Sequence, residues 1–73
     1  MPDYLFGLLI LAFNNKMFVS IEGEHFYTIA SISKKTLVLK FPKAIKYMNI
    51  PLENIISFSF HPHNSDNIIL VVR

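Results

Sequence analysis

Beyond the first fifteen residues, apolar and polar positions follow one another in short runs with a period close to two, which predicts β-strands. The clearest run is 55–60, in which Ile56, Phe58 and Phe60 are predicted to face a core and the serines between them to face outward. Turn-forming residues such as Gly23 separate such runs. The predicted strands are 17–21, 25–33, 36–41, 46–51, 55–60 and 67–72.

The amino-terminal segment 4–13 contains no polar group except a tyrosine hydroxyl. Leu5, Leu9 and Ala12 recur at the spacing of one helical face, which favours a short helix, and Leu8 extends that face. The alternative is a buried strand that ends in a hairpin turn at the two asparagines that follow. Because the opposite side is apolar as well, such a helix needs cover on more than one face.

Six short strands with tight turns are typical of a small, strongly bent antiparallel barrel or sheet. With 73 residues, the chain is predicted to form one domain, 1–73, that is mainly β with a short amino-terminal helix. The chain contains no cysteine, which excludes disulfides and thiolate metal sites. A single core in so short a chain has a small stability margin, so association is the expected additional support.

The composition also predicts association with other chains. The chain is 52% hydrophobic and only 16% charged, whereas about 25% charged residues is usual for a soluble domain. The excess apolar surface predicts a homo-oligomer and a protein partner, above all if the terminal strand lies at a sheet edge. The residues predicted to make these contacts are Tyr4, Phe6, Phe13, Ile69 and Val71.

Segment 4–13 is too short for a membrane span, which takes about 20 apolar residues. The chain begins with an acidic tripeptide and shows no basic start of a secretory signal, so a cytoplasmic location is expected. Peripheral membrane attachment through 4–13 is the alternative, and it predicts vesicle binding that is lost when the segment is deleted.

Positive charge is concentrated in a stretch of thirteen residues that contains five lysines and no acid. Lysines beside accessible aromatic rings are typical of a surface that follows a nucleic-acid backbone and stacks bases. The alternatives are a solvated rim and a surface that meets an acidic protein. This lysine patch comprises Lys34, Lys35, Lys40, Lys43, Lys46 and Tyr47.

Catalytic and metal chemistry have little support in the sequence. His61, His63 and Asp66 offer imidazole and carboxylate groups, but their spacing matches no known metal site. No serine has a histidine and an acid in a defensible arrangement, and a glycine-rich phosphate loop is absent. We therefore expect no enzymatic activity, no metal and no cofactor.

The candidate helix, followed by MFVSIEGEHFYTIASISKKTLVLKF and YMNIPLENIISFSF, resembles the Sm-like fold in element order, especially its bacterial RNA-chaperone branch. This resemblance covers 4–60 and implies a bent barrel, assembly into rings and RNA binding. The strands TLVLKF, NIPLENIISFSF and NIILVV also resemble the middle strands of bacterial pleckstrin-homology-like domains. Those domains end in a capping helix that is not predicted here, which implies an apolar sheet face for a partner to cover.

These observations together predict a non-enzymatic binding module. It would be a regulatory or inhibitory protein that acts through protein–protein contact and homo-oligomerisation. The alternative is an Sm-like protein that binds RNA through the lysine patch.

Overall fold

The computed structural model describes residues 3–73 and consists of one helix and six strands. A 3-10 turn, Leu52–Asn54, joins the fourth strand to the fifth. The predictions of a mainly β chain and of a short amino-terminal helix are confirmed. The elements are α1 (Asp3–Asn14), β1 (Phe18–Ile21), β2 (Glu24–Ile32), β3 (Thr36–Lys40), β4 (Tyr47–Pro51), β5 (Ile55–Phe60) and β6 (Asn67–Val72).

Helix α1 packs on the sheet through the face that the leucine spacing predicts, with Leu9 and Ala12 fully buried. Its carboxyl end is capped by two backbone bonds, from the Met17 N–H to the Ala12 carbonyl and from the Lys16 N–H to the Phe13 carbonyl. Lys16 has φ 55°, in the left-handed region that this cap requires and that favours glycine. Within residues 3–73, no helix combines the length and the apolar character needed to cross a membrane.

The six strands form one mixed sheet in the order β4-β3-β2-β1-β6-β5. Neighbours pair antiparallel except β1 and β6, which run parallel with Phe18 opposite Asn67. The prediction of an all-antiparallel sheet is therefore wrong for the pair β1–β6, because alternation within a strand carries no information about the direction of its neighbour. The terminal strand does not lie at an edge, since β6 lies between β1 and β5, so the condition under which its edge would invite pairing is not met.

The sheet is not closed into a barrel, because its edge strands β4 and β5 do not pair. Strands β1 to β4 pair antiparallel in turn, so β4 runs opposite to β1. Strand β6 runs parallel to β1 and pairs antiparallel with β5, so β5 also runs opposite to β1. The edge strands β4 and β5 therefore run in the same direction. Parallel neighbours need a crossover of roughly a dozen residues, whereas Leu52–Asn54 alone joins these two.

The short link between β4 and β5 nevertheless requires a rolled sheet. A flat sheet of six strands would hold its outermost strands about 24 Å apart. The stretch from the end of β4 to the start of β5 reaches at most about 14 Å. The two edges must therefore approach each other at this corner.

The core lies on the inner face of the sheet, which is the face that α1 covers. Phe58 of β5 packs against it half-buried. A bulge between Ile55 and Ser57 turns Ile56 outward to 63% exposure, so the prediction that Ile56 faces the core is wrong. The buried apolar residues are Leu5, Leu9, Ala12, Val19, Tyr27, Leu37, Leu39, Ile50, Leu52, Ile68 and Leu70.

Candidate functional site

The face of the sheet away from α1, here called the outer face, carries the residues that alternate with the core. Cα partners share one side of a sheet, so a row of partners identifies this face. Among residues 3–73 α1 is the only helix, and it packs on the inner face. One row that crosses five strands on the outer face consists of Tyr47, Lys40, Thr28, Phe18 and Asn67.

Phe18 and Phe26 form an exposed aromatic pair on the outer face. Their ring centroids lie 6.5 Å apart with the ring planes at 84°, an edge-to-face contact. The two side chains are 43% and 53% exposed, although rings of this size normally supply core or interface area. The pair is therefore a preformed and exposed apolar surface.

A tight hairpin and a bulge position this pair. The turn residues Glu22 and Gly23 have φ of 53° and 82°, as a two-residue hairpin turn with two positive φ angles requires. His25 follows with φ 63°, at a point where two residues of β2 lie opposite one residue of β1. This bulge directs Phe26 to the face that holds Phe18.

A buried polar pair lies between the exposed residues of the outer face. The Ser20 hydroxyl donates to the side-chain oxygen of Asn67, with 3.3 Å between Oγ and Oδ1. Both residues are almost completely inaccessible, and no buried side-chain donor or acceptor in the described part of the chain lacks a partner. The polar groups at the centre of this face are thus satisfied within the chain, and its aromatic residues are the exposed apolar groups.

A groove of about 500 Å³ opens where the carboxyl end of α1 meets β2. Its size falls within the range of roughly 300–1,000 Å³ that is usual for binding clefts. Thr28 lines the groove and is also the Cα partner of Phe18, so the groove adjoins the outer face at this residue. The lining residues are Phe13, Asn14, Lys16, Met17, Thr28 and Ile29.

The five predicted contact residues are spread over different parts of the molecule. Phe13 lines the groove, and Ile69 and Val71 lie half-buried on the outer face. Tyr4 is exposed on the first turn of α1, and Phe6 packs half-buried against the core. Only the first three therefore belong to one surface with the aromatic pair.

The lysine patch is divided by the length of β3. Lys35 and Lys40 stand at opposite ends of this strand, about 17 Å apart along it. The Lys40 ammonium donates to the carbonyls of Phe41 and Ala44 at 3.3 and 3.2 Å, and the Lys46 ammonium lies 5.0 Å from the centre of the Phe41 ring. The predicted patch is thus two groups, and part of its charge is engaged by the chain itself.

At the other end of β3, Lys34 and Lys35 share a shallow depression with Glu53. Lys43 is exposed in the loop between β3 and β4. The carboxylate of Glu53 offsets part of the positive charge near the two lysines. These lysines therefore do not add to the charge around Tyr47, which lies at the far end of the strand.

The histidines of the 61–66 turn serve local structure. The His63 backbone N–H donates to His61 Nδ1 at 3.1 Å, which occupies one of the two nitrogens that could bind a metal. The two imidazole rings have centroids 6.2 Å apart. Within residues 3–73, no three histidine, aspartate or glutamate side chains are placed to hold a metal ion together.

Phe18 and Phe26 were not among the contact residues predicted from the sequence. The alternation of side chains in a strand does indicate that both are exposed. Phe18 precedes the buried Val19 and Phe26 precedes the buried Tyr27, so each ring points to the side opposite the core. Comparison with models of protein families, with curated proteins and with solved structures finds no match. The geometry of the outer face and its groove is therefore the basis for a functional proposal.

Proposed function

We propose that this protein is a non-enzymatic binding module that regulates or inhibits another protein by covering part of its surface. The observation that carries the proposal is the exposed Phe18–Phe26 pair, which stands on the sheet face opposite α1, beside an apolar groove. Aromatic side chains at the centre of an interface supply a large share of its binding energy.

The site favours binding because it is preorganised. Phe18 and Phe26 stand on paired strands, and the buried Ser20–Asn67 bond joins β1 to β6 beneath them. A rigid aromatic surface loses little conformational entropy on association, which leaves more of the contact energy for affinity.

The chemistry of the surface indicates the kind of partner. Ile69 and Val71 continue the apolar character beside the rings, and the adjacent β5 residues on this face are serines. The nearest charged group in the row of partners is the Lys40 ammonium, which is engaged by backbone carbonyls. The complementary surface is therefore an apolar patch with a polar, weakly charged rim.

A photo-crosslinking amino acid in place of Phe26 tests the proposal in the cells that naturally produce the protein. We expect one dominant adduct with another protein, identified by mass spectrometry. The matched control places the same group at Ile45, which is 91% exposed but lies in the loop between β3 and β4. Phe18→Ser should abolish the Phe26 adduct while the melting temperature confirms that the chain still folds.

The same adduct pattern from both positions would contradict the proposal, because it would show contact without preference for the outer face. An adduct with the mass of two copies of this chain would also contradict it, since the outer face would then be a self-association surface.

An Sm-like nucleic-acid-binding protein is the second candidate, and one observation favours it. The exposed ring of Tyr47 is the Cα partner of Lys40, in the same row as Phe18. Lysines and aromatic rings on one sheet face are the composition of a base-stacking surface. This candidate predicts that single-stranded RNA binds at low salt, that binding falls steeply as salt rises, and that Tyr47→Ala weakens it. Fluorescence anisotropy that detects no binding at low salt would exclude it.

A further inference from the structure

The edge strand β5 leaves a specific set of backbone groups free. The His61 N–H donates to the Asn67 carbonyl at 3.0 Å, which fixes one hydrogen-bonded pair between β5 and β6. Antiparallel strands exchange bonds at every second pair. The backbone N–H and C=O groups of Ser57 and Ser59 therefore bond to β6, whereas those of Phe58 and Phe60 point away from β6 toward the free edge.

The two edges of the sheet are not equally protected against pairing. Natural edge strands usually carry proline, charged residues or bulges that prevent other strands from adding. In β4, the Leu52 N–H donates to the Lys35 carbonyl, so the backbone nitrogen of the preceding residue, Pro51, faces the free edge. Because proline has no N–H, this position cannot donate a hydrogen bond to an added strand. In contrast, β5 contains no charged residue and no proline, and its bulge affects only Ile56. The segment 57–60 is an unprotected edge.

We propose that a second copy of this chain adds to β5, so that the two sheets join antiparallel about a two-fold axis at Ser59. In this register, Phe58 of each copy lies opposite Phe60 of the other, and the N–H and C=O groups of both residues all find partners. The neighbouring registers are worse, because they bring Phe60 opposite the bulged Ile56 or bring Phe58 opposite Pro62, which has no N–H.

The side chains of β5 support a second copy as the occupant. Phe58 and Phe60 already contact each other with ring centroids 5.4 Å apart and planes at 86°, and Phe60 is 55% exposed. The two-fold arrangement places all four rings of the pair of copies on one face, where cross-strand aromatic contacts stabilise a sheet. An uncharged strand also meets its own copy without electrostatic repulsion, whereas it offers no charge to recognise a different partner.

A cleft beside β5 adds to this surface. It has a volume of about 110 Å³, and Tyr4, Leu8 and Phe58 are among its lining residues. This volume is well below the roughly 300 Å³ at which small-molecule sites begin, so the cleft suits a single side chain. The Phe60 ring of the second copy would lie on the same side of the joined sheet.

This self-association surface is separate from the Phe18–Phe26 pair. It uses the backbone edge and the inner-face rings of β5, whereas the proposed partner surface lies on the outer face. Evidence against one of these two surfaces would therefore not count against the other.

Cysteine cross-linking tests the register. The chain has no cysteine, so Ser59→Cys introduces a single thiol. Across the axis, residue 59 would face itself in a narrow antiparallel pair with Cα atoms about 4.5 Å apart, within the reach of a disulfide. We expect Ser59→Cys to convert mostly to a disulfide-linked dimer under mild oxidation. The matched control is Asn49→Cys, an exposed position on the other edge strand, which should form no disulfide-linked dimer.

Charge variants at the same position test the interface without covalent chemistry. Sedimentation velocity of the full chain should show a dimer at micromolar to millimolar concentration. Ser59→Lys and Ser59→Asp should each weaken this dimer roughly tenfold or more, because like charges would meet at the axis. A mixture of the two variants should restore it, and Asn49→Lys should leave it unchanged.

Three results would overturn the proposal. The first is a wild-type chain that stays monomeric over the whole concentration range. The second is a dimer that Ser59→Lys does not weaken, and the third is equal cross-linking of Ser59→Cys and Asn49→Cys.

Discussion

The hydroxyl of Ser20 donates to the side-chain oxygen of Asn67 across 3.3 Å, and this bond joins β1 and β6, which pair in parallel. The two residues retain only 2% and 1% of their accessible surface. Parallel pairing is slightly less stable per residue than antiparallel pairing. A satisfied polar pair at this position therefore stabilises the centre of the sheet and opposes a shift in its register, since a shift would leave both groups buried without partners.

Ser20→Ala is expected to lower the free energy of unfolding by about 1–3 kcal/mol, because the buried oxygen of Asn67 loses its donor. Urea denaturation of the purified protein measures the change. Ser31→Ala is the matched control, since Ser31 is an exposed serine in the adjacent strand β2 and should change stability little. Equal stability of the two variants would show that the bond contributes nothing.

The two glycines are expected to respond in opposite directions to the same substitution. An added Cβ would meet no atom within 4 Å at Gly7 or at Gly23, so space does not distinguish them. Gly7→Ala should raise the free energy of unfolding by about 0.5–1 kcal/mol, because alanine is the better helix former. Gly23→Ala should lower it by about 1–2 kcal/mol, because Gly23 has φ 82°. Thermal unfolding of both variants tests the pair. A stabilised Gly23→Ala would contradict the turn geometry, and a destabilised Gly7→Ala would contradict the expected gain in the helix.

Leu9→Ala and Leu11→Ala test which face of α1 packs on the sheet. Leu9 is fully buried, and its truncation is expected to cost about 2–5 kcal/mol. Leu11 lies on the same helix but is exposed, so the same truncation should change stability by less than about 0.5 kcal/mol. Circular dichroism melting curves give both values. A loss at position 11 as large as that at position 9 would contradict the packing of the helix.

Lys16→Gly is expected to stabilise the protein by about 0.5–1 kcal/mol. Lys16 ends α1 at φ 55°, a conformation in which glycine has no steric penalty. Lys43→Gly removes the same charge and side chain from an exposed loop residue without positive φ, and it should be neutral or destabilising. Denaturant midpoints compare the two variants, and a destabilised Lys16→Gly would show that the lysine side chain contributes more than the strain costs.

Local pattern was enough to predict the elements and most of their buried faces. The spacing of Leu5, Leu9 and Ala12 predicted the inner face of α1, and alternation in 36–41 places Leu37 and Leu39 on one face of β3, which is the buried face. Both inferences rest on side-chain periodicity, which is a property of the segment itself.

Long-range relationships could not be predicted in this way. Alternation along 67–72 does not reveal whether β6 lies at an edge or inside the sheet, nor that it runs parallel to β1. The bulge that exposes Ile56 also leaves no mark in the alternation of 55–60. In the candidate site, Ile69 and Val71 were predicted from their apolar character, whereas Phe18 and Phe26 come together only through the bulged pairing of β1 with β2.

During synthesis, β6 emerges from the ribosome after the other five strands, yet it fills a place inside the sheet, between β1 and β5. Strands β1 to β4 pair with their chain neighbours, so they can assemble as soon as they are made. Until β6 arrives, one side of β1 remains bare in the growing chain, and β5 has no strand to pair with. This interval is when the nascent protein is most exposed to misassembly or to capture by chaperones.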